Sequence, residues 1–98
     1  RNMILHTVNK SPAASSSLKE CLFSASSGDQ VLLIEDGVYA ASLAFSELLR
    51  DDLSYFVLQN DMAARGLNNN LIAKQWQSVD YEGFVELTES ADTVCSWF

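Results

Sequence analysis

Four consecutive apolar residues, Val31-Leu32-Leu33-Ile34, followed at once by Glu35-Asp36-Gly37, constrain this chain more than any other stretch. A strand wetted on one face alternates apolar with polar, whereas a strand covered on both faces need not. Asp36-Gly37 ends the run, and an alanine-rich helical pattern starts immediately after it. Strand, tight turn and helix make the βα unit of a parallel sheet. Ligands and reactive groups in such sheets gather beyond the carboxyl ends of the strands, which makes Glu35, Asp36 and Gly37 candidates by position.

The remaining segments repeat this alternation. Met3 to Val8 reads as a first strand, closed by Asn9-Lys10-Ser11-Pro12, where Pro12 forbids a continued ladder. Ser15, Ser16 and Ser17 offer N-caps for a helix to about Ser26, with Leu18, Cys21, Leu22 and Ala25 on one face. Gly28-Asp29 is its stop. A second helix is predicted over Val38 to Arg50, apolar on more than one face. Its surplus suggests a subunit contact, with alanines that let another backbone approach. Leu53 to Leu58 reads as a third strand. A short helix capped by Asn60 or Asp61 runs through Arg65, with Gly66 placed to end it. Trp76 to Asp80 is a fourth, weaker strand and Tyr81 to Ser90 a helix. Asp92 to Phe98 fits either a last strand or a docked tail. The sum is a single α/β sandwich with a mainly parallel sheet flanked by helices. It covers residues 3–98, with Arg1-Asn2 set aside as additions ahead of Met3.

Composition narrows the function. Hydrophobic residues make up 48% of the 98, enough for a core. The net charge of −7 and six scattered basic residues supply no cluster to release counterions from a phosphate backbone. Direct nucleic-acid binding is not expected, and Trp76, Trp97 and Phe98 are read as core or interface residues rather than base-stacking platforms. No apolar run approaches the roughly 20 residues that span a bilayer. No secretory signal is visible, and two cysteines make no disulfide scaffold, so the cytoplasm is the expected compartment.

Cys21 is the one residue suited to covalent chemistry, because a thiolate can accept and return sulfur as a persulfide. It also shares an apolar helix face with Leu18 and Leu22, where cysteine commonly serves as a small hydrophobe. Cys95 has no capping or basic neighbour and reads as structural. His6 is either an acid/base group near the sheet's carboxyl edge or a hydrogen-bonded packing residue. No His/Cys cluster has metal-ligand spacing. Asp36-Gly37 is neither a dinucleotide nor a Walker phosphate loop, so no cofactor is expected. A flavodoxin-like sheet leaves a mononucleotide module as a third possibility, which failure of any nucleotide to raise the melting temperature would remove.

Several blocks taken in order resemble the TusB/DsrH family: Leu5 to Pro12, Leu32 to Ala41, Asp61 to Leu67, Val79 to Val85 and Thr93 to Trp97. The resemblance covers essentially the whole chain from Met3. It implies a DsrE-like fold and a cytoplasmic complex with TusC/DsrF-like and TusD/DsrE-like subunits, usually a dimer of heterotrimers. Such a complex relays persulfide sulfur between carrier proteins. In the Tus branch the sulfur reaches 2-thiouridine at the wobble position of certain tRNAs; in the Dsr branch the relay serves oxidation of stored sulfur. The principal sulfur-accepting cysteine belongs to the TusD/DsrE-type subunit. Cys21 falls where DsrH-type members carry a cysteine that many TusB-type members lack, which keeps a persulfide role open beside the packing role. Isolated from its partners, such a chain is expected to self-associate.

Overall fold

A computed structural model describes residues 2–98. Arg1, set aside above with Asn2, lies outside the described residues; Asn2 is exposed ahead of the first strand. Five strands form one sheet: β1 (Ile4–Val8), β2 (Gln30–Leu33), β3 (Ser54–Leu58), β4 (Trp76–Val79) and β5 (Thr93–Trp97). Every pairing is parallel, in the order β4-β3-β2-β1-β5. The chain steps outward from β1 to β4, then crosses the sheet to place β5 on the far side of β1. Of the two readings of the C-terminal segment, the strand is the one observed.

Direction of travel decides which face each connection covers. Right-handed crossovers put the connections from β1 to β4 on one face and the returning one on the other. On the first face lie α1 (Ser17–Ser24), the segment after β2, and α2 (Gln59–Ala64). There Leu18, Cys21, Leu22, Val38 and Met62 pack on Val8, Val31, Leu33, Val57 and Trp76. The opposite face carries Leu5 and Leu32, both fully buried, and among the described residues α3 (Tyr81–Ser90) is the helix that crosses it. None of the ten residues of α3 is itself buried. α3 is the helix whose bounds match expectation. Asp80 caps it, its carboxylate accepting from the Gly83 N–H at 2.9 Å.

The main departure is the predicted helix over Val38 to Arg50. Two 3₁₀ segments stand there instead, Glu35–Ala41 and Leu43–Leu48, broken at an extended Ser42. The cause is what this chain touches. Ser42 forms an antiparallel bridge with Ile72, and the Ala41 carbonyl accepts from the Ala73 N–H at 2.8 Å. Those bonds hold the connection flat against the sheet, and the tighter 3₁₀ turns suit a short path. Ala40 and Ala41 are fully buried here, so they serve the chain's own packing and not a partner's backbone. α2 also starts earlier than expected, at Gln59, and neither Asn60 nor Asp61 caps it. Gly66 follows it at φ +75°, as its place after the helix requires.

Gly37 sets how close this connection can lie. A Cβ on it would meet the Val8 carbonyl oxygen at 2.1 Å, a backbone atom that cannot rotate away. Gly37→Ala should therefore cost about 3 kcal/mol or more of stability, the upper range for overpacking. A urea midpoint within error of the unmodified protein would show that the contact relaxes without cost.

Candidate functional site

The carboxyl edge of the sheet, where position alone suggested a site, is a set of ties. Glu35 leaves β2 at φ +50°, a left-handed backbone uncommon for a residue with a side chain. Its N–H donates to the Asp61 carboxylate at 2.6 Å, fastening the turn to α2. Arg65 donates to Asp36 at 2.8 Å and to the Asp61 carbonyl at 3.1 Å. Glu35 and Asp36 thus hold separate partners and do not form an acid/base pair.

Cys21 faces inward from α1 and is fully buried. Burial pushes its thiol up to about 12, with Cys95 and Asp29 nearby adding to the rise. At neutral pH the group is a thiol, not a thiolate. Cys95 lies on β5 and is partly exposed.

His6 also points inward, 3% exposed, and belongs to a buried polar chain. The Trp97 indole N–H donates to His6 Nδ1 at 3.0 Å, and His6 Nε2 meets the Asp29 carboxylate at 2.9 Å. Indole can only donate, so Nδ1 is the acceptor and the imidazole proton sits on Nε2, directed at Asp29. Asp29 accepts further from the Ser26 N–H at 2.9 Å and the Ile4 N–H at 3.2 Å. Burial alone would raise the Asp29 pKa, but these bonds outweigh it and hold the carboxyl below its ordinary range. Of the two readings of His6, the hydrogen-bonded packing role fits this geometry. In the sequence Asp29 reads only as part of the stop at Gly28-Asp29, because a carboxylate at a strand entrance gives no periodic signal that it turns inward.

The third feature is apolar and faces out. Phe23 is 93% exposed and Leu43 64%, with Tyr39 and Leu48 also exposed. Pro12, Ala13 and Phe45 line two adjoining grooves of about 410 and 430 Å³ between the loop before α1 and the 3₁₀ segments. The surplus of apolar residues read from the sequence therefore lies on the surface, although not on one regular helix. Isolated exposed apolar residues are ordinary, but contiguous ones mark contact surfaces. Among the described residues no group of His, Cys, Asp and Glu could hold a metal ion, and no helix is long and apolar enough to cross a membrane.

The arrangement is a parallel α/β scaffold with inward-facing polar and sulfur groups and an outward apolar strip. The sequence matches the family described as DsrH like protein over residues 10–94. Protein TusB of Serratia proteamaculans (strain 568) is 38% identical over 97 residues, covering 96% of this chain and all of that protein. Protein TusB of Escherichia coli O81 (strain ED1a) is 35% identical over the same extent. Among solved structures, the ychN protein from E. coli superposes with a TM-score of 0.81 over 98% of this chain and 99% of that one. At 17% identity that likeness speaks for the fold alone. This chain belongs to the TusB/DsrH family.

The buried chain of bonds makes acid stability a readout of Asp29. Its folded pKa is below the ordinary 3.8, so the unfolded form binds the proton more tightly. The stabilisation is complete above about 3.8 and disappears as pH falls through the lower folded value. Asp29→Asn should lower stability at neutral pH by about 1–3 kcal/mol and flatten the acid limb of the stability curve. An acid limb as steep as that of the unmodified protein would contradict this assignment. Thiol labelling at neutral pH should modify Cys95 in the folded chain and Cys21 only after denaturation, as peptide mass mapping would show.

Proposed function

We propose that this chain is an accessory subunit of a cytoplasmic sulfur-relay complex that passes persulfide sulfur between carrier proteins for 2-thiolation of the tRNA wobble uridine. Its likeness to TusB proteins along nearly its full length carries this reading. Its partners are TusC/DsrF-like and TusD/DsrE-like subunits in a dimer of heterotrimers, and sulfur-carrier proteins reach it through the complex. The exposed Tyr39 and Leu48, which line the two grooves around Phe45, and the exposed Leu43 of the same connection support a role in which subunits cover that surface. A net charge of −7 suits a subunit that does not itself grip tRNA. The burial of Cys21 and its high thiol pKa favour a packing role over sulfur acceptance.

A second reading makes the chain a DsrH-type carrier for sulfur oxidation, with Cys21 holding the persulfide. The family description and the presence of Cys21 favour it. The two separate in one experiment. The chain is assembled with its TusC- and TusD-type partners, given a sulfur donor and weighed intact. The accessory reading expects no gain on this chain, whereas a gain of about 32 Da on Cys21, lost in Cys21→Ser, supports the carrier. Wobble 2-thiouridine content in cells lacking the chain then distinguishes the pathways, and an unchanged content removes the tRNA assignment.

The apolar strip gives a further expectation. Isolated, the chain should self-associate; with partners it should enter a six-chain species by light scattering. Leu43→Asp should keep the fold, because Leu43 is 64% exposed, yet weaken assembly about tenfold or more. Undiminished assembly of that variant would move the contact elsewhere.

A further inference from the structure

The two cysteines lie far apart in sequence but share one side of the sheet. Cys95 pairs in register with His6, which pairs with Val31 on the next strand, and registered residues of parallel strands project to the same face. Val31 packs in the same core as Cys21. Along β5 only Cys95 and Trp97 are partly buried, while Thr93, Val94 and Ser96 are exposed, so the Cys95 side chain turns toward α1.

Height along the sheet agrees. The Ser17 hydroxyl donates to the Phe98 carbonyl at 2.8 Å, pinning the start of α1 beside the end of β5. From that anchor the helix and the strand, traced backward, descend together. Four residues of helix cover about 6 Å and three of strand about 10 Å, which puts Cys21 and Cys95 within about one helical turn of the same height on one face of the sheet. Burial is the main cause of the raised Cys21 thiol pKa, and Cys95 adds to it.

We propose that Cys21 and Cys95 form a redox pair, closed by peroxide into an intramolecular disulfide that staples α1 to β5. Cys95, the more exposed, reacts first. Its sulfur attacks the peroxide, an S–O bond forms, the O–O bond breaks and one water leaves, giving the sulfenic acid. The Cys21 sulfur then attacks the Cys95 sulfur. An S–S bond forms, the S–O bond breaks, and the departing hydroxide takes the Cys21 proton to leave as the second water. Two thiols are oxidised by two electrons and one peroxide is reduced to two waters. The raised pKa of Cys21 makes this second step the slow one, since the attacking sulfur must shed its proton as it attacks.

The second step sets this pair apart from a cysteine that is merely oxidised at the surface. Sulfenic acid left beside water and excess peroxide climbs to the sulfinic state, which a neighbouring thiol prevents. The staple would also withdraw Cys21 from any sulfur acceptance, whichever reading of function holds.

The test uses the full chain treated with hydrogen peroxide, followed by intact mass and non-reducing peptide mapping. The expected product is a monomer lighter by about 2 Da, with the Cys21 and Cys95 peptides linked and both thiols restored by reductant. Cys21→Ser should instead gain oxygen on Cys95 or cross-link between chains, and Cys95→Ser should resist peroxide. The oxidised chain should melt at a higher temperature than the reduced one, and reductant should reverse the shift. Oxygen gain on Cys95 in the unmodified chain without the internal link, a disulfide between chains in its place, or two thiols that remain free would each overturn the proposal. None of these readouts depends on sulfur-transfer activity.

Discussion

The contact between Gly37 and the Val8 carbonyl governs the arrangement of this molecule, because it fixes how near the chain leaving β2 can lie to the sheet. A connection held at that distance has no room for a free-standing α-helix. It becomes two 3₁₀ segments hinged at Ser42, with backbone bonds spent on Ile72 and Ala73. That path turns Val38, Ala40 and Ala41 into the core and leaves Leu43 and Tyr39 looking outward. The surface that best suits partner subunits is thus a by-product of one close backbone approach.

Polar groups inside the fold follow a comparable economy. His6, Asp29 and Trp97 come from the first strand, the turn before the second and the last strand, and each satisfies another in the interior. A buried carboxylate is tolerable because it gathers bonds from a ring N–H and two backbone N–H groups. Cys21 lies in the same neighbourhood without such help, and its thiol stays protonated.

What the sequence disclosed follows from where the physics is local. The unbroken run at Val31 to Ile34 announced a strand covered on both faces, and the alternation of elements announced a parallel sheet; both are present. Helix α3 is legible to its ends because the apolar spacing of Phe84 and Leu87 acts within a few residues, whereas Asp80, read as the end of the fourth strand, shows itself as the cap only in the structure. The 3₁₀ connection was not, since its composition is helical and only a distant carbonyl and a loop at residues 72–73 forbid the helix. The inward turn of Asp29 and the nearness of Cys95 to Cys21 depend on pairings across the whole chain, which no window of neighbouring residues contains.

Strand β5 has an implication for how such a chain comes into being. Residues 93–97 are made after every other strand of the sheet, yet they lie against residues 4–8, with Thr7 and Ser96 bonded across 89 positions. While the protein is still emerging from the ribosome, β1 is therefore open on the side that will meet β5, the amide groups directed there unpaired and Trp97 not yet present to meet His6. Ordering of this sheet finishes only after translation has passed the final strand. Until then the nascent chain carries a sticky border that it must keep from its neighbours.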